Sequence, residues 1–116
     1  LEEHYAPIGV KGSLEITAKV IKKIGQTVKI NGGKFYILIH PHPSVMAIEE
    51  KVFNWEDYIQ EICKQSDCSG VINTIPKFKK LAAKNPQWMK SYYLDGDSHF
   101  NKEGNRIIAT ELQNHF

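Results

Sequence analysis

Phe35-Tyr36-Ile37-Leu38-Ile39-His40-Pro41-His42-Pro43 is the stretch on which the expected fold turns. Its first five residues are apolar, aromatic or β-branched, and glycines and prolines bound them. A short continuous run of this kind reads as a strand buried on both faces. The two prolines withhold backbone donors and force an extended exit. A strand entering a loop at its carboxyl end is where α/β proteins place ligands. His40 and His42 lie on that exit. No acid or cysteine pair stands close enough in sequence to complete a metal site, so they read as rim residues of a cleft.

Working outward, Gly70-Val71-Ile72-Asn73-Thr74-Ile75 is a second short strand, stopped by Pro76. Between the two strands, Val45 to Lys51 reads as a short helix or a loop. Asn54 then caps a helix with Glu56 and Asp57 in its first turn, where the helix dipole favours negative charge. Trp55, Tyr58, Ile59 and Ile62 form its apolar stripe, and it ends near Gln65. That stripe reads as core, not as an aromatic cofactor box. On the N-terminal side, Leu1 to Gly12 has no period and reads as an irregular lead-in. Ser13 is a candidate N-cap, and Leu14, Thr17, Ala18, Ile21, Ile24 and Val28 recur at helical spacing. Lys19, Lys22 and Lys23 fall between them as a solvated face. Gly25 weakens this helix, and Asn31-Gly32-Gly33 ends it.

On the C-terminal side, Pro76 favours a helix start, so Lys77 to Lys84 is expected to be helical until Asn85-Pro86. Gln87 to Ser91 makes one more turn with Trp88 inward. Tyr92-Leu94 is a brief extended run. Asn101 caps a last helix whose buried stripe is Ile107, Ile108, Ala109 and Leu112. The alternation of buried strands and amphipathic helices predicts a layered α/β fold, with 35–39 and 71–75 as parallel neighbours.

The 116 residues suit a single domain over 1–116. Fifteen basic and 13 acidic residues leave a formal charge of +2, too balanced to imply a nucleic-acid partner. No apolar run approaches the ~20 residues a membrane span needs. The chain starts at Leu1 rather than Met, so the missing signal peptide says nothing about targeting. Cys63 and Cys68 lack the second pair of a zinc site. They are two free thiols, or a short disulfide between a helix end and the next strand; the latter implies an oxidising compartment, periplasmic or extracellular.

The chemistry concentrates in Asp95-Gly96-Asp97-Ser98-His99, a loop between two regular elements. A carboxylate can hold one imidazole nitrogen, fix the tautomer and stabilise the protonated ring, leaving the other nitrogen to take a proton from a nucleophile. The plainer account of the loop is a helix cap, with Asp97 or Asn101 satisfying backbone donors and His99 merely exposed.

Asp97-Ser98-His99-Phe100-Asn101, with Gly104 and the Ile107-Ile108-Ala109 stripe, resembles the C-terminal block of SGNH hydrolases, the GDSL-type esterases and lipases. Tyr36 to Pro43 and Ile72 to Phe78 are similar to strands that precede that block in some members. The resemblance runs from about Ser13 to Phe116. It implies a flavodoxin-like three-layer α/β/α sandwich with a parallel sheet, of which this chain is the C-terminal half. It also implies serine attack on a small acyl ester or acetylated carbohydrate, with His99 as base and Asp97 as its orienting acid, and neither cofactor nor metal. Many members place the acid three residues before the histidine, where this chain has Gly96. Related branches use the two-residue spacing, which favours Asp97 and leaves Asp95 open.

The family's nucleophilic serine and oxyanion-hole residues lie ahead of this region and have no counterpart here. Gly96-Asp97-Ser98 carries the nucleophile's letters without its context, since no long apolar strand precedes it and no helix starts directly after it. Ser98 would also struggle to align with the adjacent His99, and Ser13 and Ser44 belong to no motif. The nucleophile is therefore expected upstream, on an N-terminal segment that pairs with this chain. The alternative is a non-catalytic small α/β binding or assembly module.

Overall fold

The computed structural model describes residues 9–47 and 53–116. Residues 1–8 of the irregular lead-in expected over 1–12 and the end of the element expected over 45–51 lie outside them, whereas 9–12, also expected to be irregular, are helical. The elements are α1 (Gly9–Ile30), β1 (Tyr36–Ile39), α2 (Pro43–Ala47), α3 (Trp55–Gln65), β2 (Gly70–Asn73), α4 (Ile75–Ala83), α5 (Trp88–Tyr92) and α6 (Lys102–His115).

β1 and β2 pair in parallel, from Tyr36 opposite Gly70 to Ile39 opposite Asn73, as the sequence leads one to expect. β2 stops two residues short of Ile75, for a local reason. The Thr74 N–H and hydroxyl both donate to the Ile39 carbonyl, at 3.0 and 2.7 Å, which closes the ladder. Asn73 Oδ1 then accepts the Ile75 N–H at 3.1 Å and turns the chain into α4. Thr74 precedes that helix, but its hydroxyl is already spent and caps nothing. Pro76 sits in the first turn, where its missing N–H costs little.

The flavodoxin-like three-layer sandwich does not form. Helix makes up 64% of the described residues, against one two-stranded sheet. The run expected to extend over Tyr92-Leu94 is consumed by α5 up to Tyr92, and Tyr93 alone makes an isolated antiparallel bridge to Phe100. Two strands cannot make a layer with helices covering both faces. β1 is accordingly half-buried at each of its four positions and not buried on both faces.

Other departures are local. Ser13 lies inside α1, and its hydroxyl donates back to the Gly9 carbonyl at 2.9 Å instead of capping. Trp55 is exposed and packs edge-on against Phe53, 4.7 Å between ring centres, and Ala109 is also exposed. Cys63 and Cys68 are joined in a disulfide that ties the end of α3 to the start of β2, with Cα atoms 4.7 Å apart.

The core that positions the loop is aromatic. Phe78 is wholly buried and stacks on Phe100 at 4.9 Å. Tyr93, 2% exposed, tilts against the same ring at 5.0 Å and meets Trp88 at 6.0 Å. Such contacts add about 0.5–1.5 kcal/mol per pair beyond area burial.

Candidate functional site

Phe100 and Tyr93 hold the two ends of the acid–histidine loop. Between them Leu94 N–H donates to the His99 carbonyl at 2.9 Å, and Asp97 N–H to the Leu94 carbonyl at 3.1 Å. Gly96 turns the chain with a φ of 66°, a value that suits glycine. Beyond Phe100, Asn101 caps α6: its Oδ1 accepts the Gly104 N–H at 3.0 Å. Its Nδ2 donates to the Ser91 and Lys90 carbonyls at 2.9 and 3.2 Å, so one side chain starts α6 and fastens the end of α5.

Asp97 Oδ1 lies 2.6 Å from His99 Nδ1 and also accepts the His99 backbone N–H at 3.1 Å. An ionised carboxylate only accepts, so the ring proton sits on Nδ1 and the Nε2 lone pair is free. The ring bond first, and the backbone bond second, hold the Asp97 carboxyl below the usual aspartate range. Of the two acids left open by spacing, Asp97 bonds His99 and Asp95 does not. The pair is open to water, with side chains 81% (His99) and 46% (Asp97) exposed. Among the described residues no hydroxyl reaches His99 Nε2. Ser98 is exposed and does not bond its neighbour's ring.

The exit of β1 meets this loop. The Tyr93 hydroxyl donates to the buried Pro41 carbonyl at 2.9 Å, and His40 tilts over Phe100 at 5.3 Å. A cleft of about 490 Å³ opens alongside. His42 and Pro43 line one wall, Pro86, Gln87, Met89 and Lys90 another, and Leu94 to Ser98 the third. That volume lies within the range of small-molecule sites. His42 is thus a rim residue, as its sequence context suggests, while His40 packs on the aromatic base. His42 Nδ1 accepts the Ser44 N–H at 3.2 Å and lies 2.8 Å from the Ser44 hydroxyl. The sequence hides the Tyr93–Pro41 tether and the double duty of Asn101, since neither leaves a spacing pattern.

Among the described residues no three His, Cys, Asp or Glu side chains gather as a metal centre requires, and no helix is long and apolar enough to cross a membrane. No protein-family model matches the chain, and no curated protein or solved structure matches it either.

Proposed function

We propose that this chain supplies the base loop of a serine-type ester hydrolase, with His99 as proton carrier, Asp97 as its orienting acid and the nucleophilic serine contributed from outside these 116 residues. One observation carries the reading: the 2.6 Å bond that fixes His99 Nδ1 and leaves Nε2 free and exposed, on a ring that follows the Asp97–Ser98 edge of the cleft in sequence but does not itself line it. In the proposed reaction a serine hydroxyl attacks an acyl carbonyl while His99 Nε2 takes its proton. The ring later returns that proton to the departing alkoxide. The substrate is a small acyl ester, of which an acetylated carbohydrate is one form.

The test is hydrolysis of 4-nitrophenyl acetate by the 116-residue chain and by the full-length gene product. Activity confined to the full-length protein and lost on His99→Ala is the expected result. Activity that survives His99→Ala would overturn the reading. Full activity in the isolated chain, abolished by Ser98→Ala, would overturn the placement of the nucleophile.

A second reading has its own observation. Asp97 Oδ1 also accepts the His99 N–H, which is a local Asx-type turn and needs no catalysis to account for it. In that case the chain is a non-catalytic binding or assembly module, and neither form hydrolyses the ester.

A further inference from the structure

The cleft wall contributed by β1 carries a second imidazole, and its proton sits on the other kind of nitrogen. His42 Nδ1 receives the Ser44 backbone N–H at 3.2 Å. A backbone amide can only donate, so in the neutral ring Nδ1 holds the lone pair and Nε2 holds the hydrogen. His99 is the reverse, because its Nδ1 faces a carboxylate that can only accept. One histidine therefore offers a bare Nε2 and the other an Nε2–H. They stand on elements pinned together by the Tyr93–Pro41 bond, with the cleft between the His42 wall and the Asp97 loop.

We infer that His42 is the oxyanion donor of this cleft: its Nε2–H is held to bind the carbonyl oxygen of an acyl group, or the carboxylate of the released acid. This rests on the ester-hydrolysis reading for its chemistry, and on local geometry alone for the state of the ring. A donor fixed before the reaction stabilises charge that develops on the carbonyl oxygen without reorganising at that moment. Neutral imidazole is suited to that task where a tautomer is locked by its other nitrogen. The rest of the cleft fits a small acyl ligand. Pro43, Met89 and Leu94 supply apolar surface for an acyl chain, and Lys90 a cation for the product carboxylate.

Ser44 beside His42 does not make a nucleophile–base pair. The single in-plane lone pair of Nδ1 is shared between the Ser44 N–H and its hydroxyl, and among the described residues no carboxylate holds Nε2. His42 lines the cleft and Ser44 does not.

Three measurements test the inference. Long-range ¹H–¹⁵N spectra of the labelled 116-residue chain at alkaline pH should show His42 protonated at Nε2 and His99 at Nδ1; His42 protonated at Nδ1 overturns it. Titration with sodium acetate should shift the His42 ring signals saturably, and His42→Phe should abolish binding. Acetate binding that persists in His42→Phe and disappears in Lys90→Ala overturns it. In the full-length gene product, His42→Phe should lower kcat on 4-nitrophenyl acetate about 10²–10³-fold with little change in KM, and His42→Gln, which keeps a donor, should restore part of the loss. Loss in Ser44→Ala equal to that in His42→Phe, with no rescue by His42→Gln, would make Ser44 the nucleophile and overturn it. If no form hydrolyses the ester, the ester reading falls, while the spectra and the acetate titration still decide whether His42 is the donor.

Discussion

Tyr93 and Pro41, 52 residues apart in sequence, are joined by a buried hydrogen bond of 2.9 Å that fastens the acid–histidine loop to the exit of β1. The donor is the phenol and the acceptor a proline carbonyl, so the bond belongs to no ladder and nothing in the sheet replaces it. It keeps the His42 wall and the Asp97 loop in one frame, and the cleft between them depends on it.

Tyr93→Phe is therefore expected to leave the ring packed and the Pro41 carbonyl without its partner. Such a loss costs about 1–3 kcal/mol, which for a domain of this size lowers Tm by roughly 4–8 °C per kcal/mol. Thermal unfolding followed by circular dichroism checks this. The same hydroxyl sets an alkaline limit, since burial pushes its pKa from 10.0 up to about 12. A folded pKa above the unfolded one gives stability that is full below pH ~10 and lost as pH rises towards ~12. Stability measured between those values should fall more steeply in the native chain than in Tyr93→Phe. Equal slopes would mean that Tyr93 is not shielded.

Gly104 lies where α6 meets α5. A Cβ there would stand 2.3 Å from the Tyr92 carbonyl oxygen and 2.9 Å from Phe100 Cβ. Neither can retreat easily, because Phe100 is stacked on buried Phe78. Gly104→Ala should cost about 1–3 kcal/mol as overpacking, despite alanine's better helix propensity. Urea denaturation gives the value. A variant as stable as the parent would show that α6 can shift outward at no cost.

Gly104 also marks how far the sequence could be read. The cap at Asn101, the cap at Asn54, the parallel pairing of the two strands and the Asp97–His99 contact all leave local signatures, and all four are present. What failed was the number of strands and how closely distant elements approach one another. Tyr92-Leu94 has strand composition, yet among the described residues no neighbour pairs with it beyond the single bridge to Phe100. Gly25 reads as a weak point in a helix, but a Cβ there would meet the Ser66 carbonyl at 2.2 Å, so the glycine is what lets α1 approach the loop after α3. Periodicity reports which face of an element is apolar; it does not report how close the partner comes.

The disulfide sits in that same loop. Cys63 and Cys68 enclose Ser66, which is buried, and Asp67, which has a φ of 53° and pairs with Lys29 of α1 at 3.0 Å. For a loop so short, the chain-entropy cost of opening it is roughly 2 kcal/mol. Denaturation midpoints with and without reductant should differ by that amount. The acid–histidine loop shares no residue with this region, so the ring signals of His99 should stay in place on reduction. A large shift there would show that the two ends of the fold are coupled through β2.

Asp97 and Asp95 can be separated by experiment, because only one of them touches the histidine. Asp97 Oδ1 accepts from both the ring and the backbone of His99, whereas Asp95 does neither. Asparagine at 97 keeps the size but presents both an acceptor and a donor, so it no longer enforces the Nδ1–H tautomer and no longer offsets the positive ring. Asp97→Asn should then lower kcat of the full-length gene product on the order of 10⁴-fold, the scale expected when an orienting acid is lost from such a unit. Asp95→Asn should fall well short of that. The pH dependence follows from the direction of the Asp97 shift. Its folded pKa is depressed, chiefly by the His99 ring bond, so its contribution is full above the unfolded value near ~3.9 and is lost as pH falls through the lower folded value. A ¹³C titration of the 116-residue chain should place the Asp97 midpoint below the ordinary aspartate range, and His99→Ala should move it back up. A midpoint that ignores His99→Ala would detach the acid from the ring, and Asp95→Asn as the more damaging change would give the role to the other acid.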